Sequence, residues 1–141
     1  MSSSSDDRHR SHELQALLVY TAERMKEDFV RAVTPLGVSA QEARAILLLD
    51  EPLPMGALAQ RLTCDQSYIT RIADDLEAHG LAKRSPGEDR RVQLLTLTRS
   101  GARMRDRIIA SVSAESLVLR RFDEDQRRTL EELLRLLLAG D

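Results

Sequence analysis

PMGALAQRLTCDQSYITRIADDLEAHGLAKRSPGEDRRVQLLTLTRSG, residues 54–101, decides the fold. Leu58, Ala59 and Leu62 fall on one face of a first short helix. Thr63 and Cys64 interrupt that spacing, and Asp65 is placed to cap a second helix, its carboxylate accepting amides that the first turn leaves free. Ile69, Ile72, Ala73 and Leu76 recur at i, i+3, i+4 and i+7, which makes one buried stripe. His79-Gly80 ends the run, glycine supplying the left-handed conformation beyond the last turn. With the stripe inward, Gln66, Ser67, Thr70 and Arg71 face away from the core. Short polar groups and a guanidinium on an exposed helix start suit a DNA major groove, which admits a helix and offers donors and acceptors on its base edges.

Two short β-prone runs follow, residues 81–84 and 92–97, separated by Ser-Pro-Gly-Glu-Asp-Arg-Arg at 85–91. Pro86 and Gly87 form turns, so the segment reads as a hairpin with Arg90 and Arg91 near its tip. A hairpin directly after a helix-turn-helix is a wing. Arginines there suit the narrow, negative minor groove and the phosphates beside it. The competing reading is an ordinary hairpin whose charges are solvated. The expected class is mainly α with a small β-hairpin wing: a winged helix-turn-helix plus terminal dimerisation helices.

The totals fit this. A chain of 141 residues holds one domain. No run of ~18 apolar residues exists to span a membrane, and MSSSSDDRHRSHE has no apolar signal core, so a cytoplasmic protein is expected. One cysteine excludes an internal disulfide, and three scattered histidines make no metal cluster, so neither metal nor cofactor is expected. Net charge is −2 and the pI about 5.9. Residues 81–107 nevertheless hold Lys83, Arg84, Arg90, Arg91, Arg99, Arg103, Arg105 and Arg107 against Glu88, Asp89 and Asp106, a local excess of five positive charges. A basic segment on an acidic body is an electrostatic footprint that the whole-chain pI hides.

Outward from the centre, residues 1–10 are Ser/Asp/Arg-rich and are expected to be a disordered tail. Residues 11–33 form a long helix with Leu14, Leu17, Leu18, Thr21, Met25 and Phe29 at helical spacing, ended by Pro35-Leu36-Gly37. Ser39 and Glu42 fit a capping box for a helix to residue 49 with Ala43, Ile46 and Leu47 inward. Residues 51–54 are a break. Beyond the wing, Thr98 caps a helix running to residue 121, and Asp123 with Gln126 starts a last helix. That helix carries Leu130, Leu133, Leu134, Leu136, Leu137 and Leu138, more than one stripe can hide against a small domain. Such a patch marks an interface. Burying each leucine is worth about 1.5–3 kcal/mol, so a homodimer is expected; the alternative is that both end helices fold onto their own winged core. Residues 11–141 are thus one domain, with 11–36 and 99–141 as dimerisation helices around a DNA-binding lobe at 37–98.

LAQRL (58–62), LEAHGL (76–81), Arg84, EDRR (88–91) and LTRSG (97–101), in this order of helices, resemble the MarR family of bacterial transcription regulators over residues 12–138. The resemblance implies a triangular dimer with interlocked terminal helices and two lobes in successive major grooves, half-sites ~10 bp apart. It implies DNA contacts for Gln66, Ser67, Tyr68, Thr70, Arg71, Lys83, Arg84, Asp89, Arg90 and Arg91, with Arg90 entering the minor groove and Asp89 pairing with Arg91 to hold the loop. Tyr68 has core packing as its alternative. The resemblance also implies a small, anionic or aromatic effector, lined by Leu17, Tyr20, Thr21, Arg24, Ile46 and Arg107, where Arg24 or Arg107 would face a carboxylate. Peroxide-sensing members carry a cysteine in the first long helix. This chain has its only one, Cys64, in the turn of the helix-turn-helix.

The expected function is therefore a sequence-specific, homodimeric repressor of a pseudo-palindromic operator, released by a small ligand. A DNA-binding protein without ligand response, or one responding to oxidants through Cys64, is the alternative. A protein-interaction module would tolerate loss of Arg71 and Arg90. An enzyme is not expected, since the chain has no Gly-rich phosphate loop, metal cluster or nucleophile–histidine pair; His79 reads as a capping or surface residue.

Overall fold

The computed structural model describes residues 3–140. Seven helices surround a small sheet: α1 (Ser3–Val33), α2 (Ala40–Leu48), α3 (Met55–Arg61), α4 (Gln66–Ala78), α5 (Arg99–Glu115), α6 (Leu117–Arg121) and α7 (Glu124–Leu138), with β1 (Leu53–Pro54), β2 (Ala82–Pro86) and β3 (Gln93–Leu97). The sheet is antiparallel in the order β1-β3-β2, with Leu53 opposite Leu95, and Arg84 on the other side of the same Leu95.

The core lies inside the winged lobe. Ile46, Leu58, Ile69, Leu76, Leu95 and Ile108, from α2, α3, α4, β3 and α5, are completely buried. The α4 stripe is the one read from the spacing: Ile69, Ile72, Ala73 and Leu76 are all inside. The starts of α2, α4, α5, α6 and α7 are each closed by a local side chain. Ser39 and Glu42 form the expected capping box on α2, and Asp123 and Gln126 form one on α7. The hydroxyl of Thr98 accepts the Gly101 N–H at 3.1 Å and donates to the Gly80 carbonyl at 2.6 Å, so one residue caps α5 and fastens it to the end of α4. Gly80 lies at φ 69, the left-handed position expected for it. His79 forms the helix cap before it, half-exposed, with Nδ1 2.9 Å from the buried carboxylate of Glu42 on α2.

Three expectations change. The composition predicts a disordered tail over residues 1–10, yet α1 is helical from Ser3, eight residues earlier than the spacing predicts. From Ser4 to Arg10 the added turns bury nothing. Backbone bonding, Asp6 near the positive helix end and the Arg8 side chain bonding back to Ser4 at 3.1 Å sustain them. Met1 and Ser2 lie outside the described residues. The helix expected to run from Thr98 to residue 121 breaks at Ser116, whose backbone is extended and whose hydroxyl caps Leu119 N–H at 3.3 Å. Serine side chains compete with helical bonding in this way. The break at 51–54 contains a two-residue strand, β1, which pairs with β3. Where the spacing is interrupted, in the turn between α3 and α4, Thr63 lies at φ 54, a strained conformation for a β-branched side chain.

Outside the lobe the chain is thinly packed. α1 is exposed from Ser4 to Glu27 and reaches the core only near its end, where Phe29 packs against it and Ala32 and Val33 are buried. α7 buries none of its residues, and Leu133, Leu136 and Leu137 are more than half exposed. The terminal helices therefore do not fold back onto the winged core. Among the described residues no helix is long and apolar enough to cross a membrane.

Candidate nucleic-acid interface

The start of α4 is held by Asp65. Its carboxylate accepts the Tyr68 N–H at 2.8 Å and the Ser67 hydroxyl at 2.8 Å. These bonds, that of the Tyr68 N–H foremost, lower its pKa below the ordinary aspartate value. A depressed carboxylate contributes stability that is complete above the unfolded-state pKa and lost as pH falls through the folded-state value. Asp65→Ala is therefore expected to lower the melting temperature at neutral pH and to differ progressively less from wild type in acid. Thermal melts across pH 2–7 check this; a constant difference would show that the cap acts without its charge.

Beyond the cap, Gln66, Ser67, Thr70 and Arg71 are exposed on the outer face of α4. The Thr70 hydroxyl donates back to the Gln66 carbonyl at 2.8 Å and Ser67 is engaged with Asp65. Gln66 and Arg71 thus carry the face's uncommitted side-chain ends. Tyr68 is half-buried: its ring packs at the edge of the core and lies 5.8 Å under the Arg71 guanidinium. Core packing and an outward role thus meet in one residue, because the ring supports the arginine that faces out.

The wing extends from the same lobe. Its last pair is Pro86 opposite Gln93. The tip closes through Gly87 N–H to the Val92 carbonyl at 2.8 Å and Val92 N–H to the Asp89 carbonyl at 2.9 Å. A side chain on Gly87 would press on that Val92 oxygen at 3.1 Å. Asp89 was expected to hold the loop by pairing with Arg91. It does bond Arg91, but its carboxylate accepts the backbone N–H at 3.0 Å rather than the guanidinium. Arg90 and Arg91 are both exposed, and neither enters an ion pair among the described residues. Lys83 is exposed on β2.

Arg84 departs from its expected part. Its guanidinium turns onto α4, donating to Asp74 at 2.7 Å, Glu77 at 2.8 Å and the Thr70 carbonyl at 3.3 Å. Its pKa is raised by the bond to Asp74 first and by Glu77 next. Cys64 is half-buried in the turn, packed against the core.

The expected ligand-lining set does not come together. Ile46 is sealed in the core with no exposed surface, while Leu17, Tyr20, Thr21 and Arg107 are exposed and line no cavity described here. Arg24 does line one, an open cleft of about 570 Å³ between α1, α5 and α6. Arg31 and Arg120 share its rim, and an adjoining pocket of about 210 Å³ is floored by Met25, Phe29, Val112 and Leu117. Arg31 is paired with Asp28. Arg24 and Arg31 stand two helical turns apart, a spacing that would have linked them in the sequence.

This arrangement has counterparts. A model of the MarR family matches residues 45–92, from the middle of α2 through the wing. A search of curated proteins finds no match. Among solved structures, a MarR-family transcriptional regulator from Silicibacter pomeroyi is 26% identical with a TM-score of 0.76, covering 87% of this chain and 86% of its own. CouR from Rhodococcus jostii RHA1, bound to p-coumaroyl-CoA, has a TM-score of 0.78 at 21% identity over 90% of this chain and 92% of its own. A cysteine-to-serine mutant of MarR from E. coli complexed with operator DNA has a TM-score of 0.73 at 24% identity over 89% and 94%. The family match spans the helix-turn-helix and wing, and the shared fold extends over nearly the whole chain, so the protein is similar in sequence there and in fold throughout to winged helix-turn-helix regulators of the MarR family.

Proposed function

We propose that the protein is a homodimeric repressor that reads a pseudo-palindromic operator, placing α4 of each subunit in a major groove and each wing against the neighbouring minor groove. The observation that carries the reading is the pairing of a core-anchored helix, outwardly polar at Gln66, Ser67, Thr70 and Arg71, with a hairpin whose tip holds two uncommitted arginines. Gln66 and Arg71 are assigned to base edges, Ser67 and Thr70 to the helix start, and Lys83, Arg90 and Arg91 to phosphates and the minor groove. Tyr68 and Asp89 shape the surfaces that present Arg71 and the wing tip. The E. coli MarR neighbour was solved with operator DNA, which fits this docking. The exposed leucines of α1 and α7 supply the surface for a second copy.

The effector is assigned to the cleft beside α1, where Arg24, Arg31 and Arg120 outnumber Asp28 and Glu115 on the rim and an apolar floor adjoins. That combination suits an anionic ligand with an apolar body, and the CouR neighbour holds a ligand of that character. A ligand that binds better to a lobe spacing unsuited to the operator lowers DNA affinity by shifting the population of dimers.

The test is binding to duplexes selected from a random pool, against a scrambled control, across a salt series. A saturable footprint of ~20 bp with a steep salt slope is expected. Arg90→Ala should weaken binding about tenfold and reduce the salt slope by about one per half-site. Unchanged binding would remove the wing from the interface. Release of the footprint by a carboxylated aromatic compound supports the effector; indifference to a broad panel favours a regulator without one.

A further inference from the structure

We infer that Arg84 is a positioning residue that locks the wing to the recognition helix, so that both enter DNA as one rigid reading head; this rests on the DNA-binding function proposed above. Arg84 sits on β2, yet its guanidinium and its backbone N–H all bond to α4. The acceptors are the Thr70 carbonyl, an Asp74 carboxylate oxygen and the Glu77 Oε1, which takes both the side-chain bond at 2.8 Å and the backbone N–H at 3.1 Å. Positions 70, 74 and 77 are spaced i, i+4 and i+7, one face of α4 running about 10 Å along its axis. The face begins at Thr70, between the outward-pointing Gln66 and the middle of the helix.

Commitment of this kind excludes a direct DNA contact. The Arg84 side chain is 21% exposed, and turning it toward a phosphate would break its bonds to all three acceptors. The tie also explains why a helix presented to a polyanion carries Asp74 and Glu77. Both are exposed carboxylates that would repel phosphates; beside Arg84 their charge is offset, and they set where the wing stands. Lysine cannot take over, because a single ammonium lacks the planar fork that reaches separate acceptors. Fixing two contact sets against each other matters because a site loose by about 1 Å loses its function even with all its parts present.

The two roles predict opposite signs. Asp74→Asn/Glu77→Gln removes two negative charges near the DNA. If Arg84 contacted DNA, freeing it would tighten binding. A positioning role predicts that affinity for the tightest duplex from a random pool falls about tenfold relative to a scrambled duplex. Arg84→Lys should lose selectivity as Arg84→Ala does, although it keeps the charge. A DNA-free arm uses amide hydrogen exchange across residues 82–97: exchange should be at least tenfold faster in Arg84→Ala and Arg84→Lys, and unchanged in Arg90→Ala. Tighter selective binding by the double variant, or wild-type selectivity and protection in Arg84→Lys, overturns the inference. If the wild type selects no duplex, the DNA-binding reading fails instead, and the exchange arm still decides whether Arg84 holds the wing.

Discussion

Gly101→Ala is expected to destabilise the fold severely, by a large share of its total stability. Helix propensity alone predicts the reverse, since alanine is favoured over glycine inside a helix by about 1 kcal/mol. Gly101 sits in the first turn of α5 and is buried. A Cβ there would lie 1.9 Å from the Leu81 carbonyl oxygen and 2.9 Å from its carbon. Neither neighbour can yield easily, because both are backbone. The Leu81 oxygen accepts the Thr98 N–H at 3.0 Å, and Thr98 binds the Gly80 carbonyl and the Gly101 N–H through its hydroxyl. Moving α5 away would break that knot and open the core around Ile108. Overpacking at such a site costs about 3 kcal/mol or more, a large share of the roughly 5–15 kcal/mol that holds a domain together. Gly56→Ala is the control, as a Cβ there meets nothing within 4 Å. Urea unfolding of the three proteins decides; a Gly101→Ala midpoint at or above wild type would refute the steric account.

That glycine shows which parts of the fold were legible. Leu97-Thr98-Arg99-Ser100-Gly101 was readable as a helix start because a cap is made within four residues. The caps at Ser39, Asp65, Thr98 and Asp123 all formed where the side chains predict them. The buried stripe of α4 was equally local, since the 3.6-residue period is written in the chain. The two residues of β1 hold no period at all; they become a strand only because Leu94 and Leu95, some forty positions later, offer ladder partners. The break at Ser116 depends on one hydroxyl competing with the backbone, which spacing of apolar residues does not record.

The candidate interface followed the same division. Gln66, Ser67, Thr70 and Arg71 were found by elimination, being what the buried stripe leaves outside. Arg84 looked like another basic residue for DNA because its acceptors sit on a different element, ten and seven residues upstream. The resemblance puts Ile46 in a cleft, whereas its helical spacing puts it with the core stripe of α2, where it lies. Arg31 and Arg120 come to one cleft only through the packing of α1 against α5 and the turn into α6, a long-range arrangement no local signal carries.

Leu134→Glu/Leu137→Glu is expected to convert the protein to a monomer and to weaken operator binding by about a hundred- to ten-thousand-fold. Leu130, Leu133, Leu134 and Leu137 share one face of α7, and that helix buries none of its residues in the lone chain. Left in water, the stripe forfeits about 1.5–3 kcal/mol for each leucine that a partner would cover. A two-fold interface counts every substitution twice, and a carboxylate in place of an alkyl chain adds a desolvation cost that no described neighbour compensates. The DNA effect follows from linkage rather than from any lost contact. The recognition helix and wing are built entirely within the lobe from α2 to β3, so a monomer keeps one intact reading head. What it loses is the second head held nearby at high effective concentration, which multiplies the affinity of the first. Sedimentation should show half the wild-type mass with helical content retained by circular dichroism, and titration of a single half-site should give the same affinity for variant and wild type. A variant that stays dimeric would move the interface to α1. A monomer that binds the full operator undiminished would mean that one lobe, rather than a pair, is the unit that reads DNA.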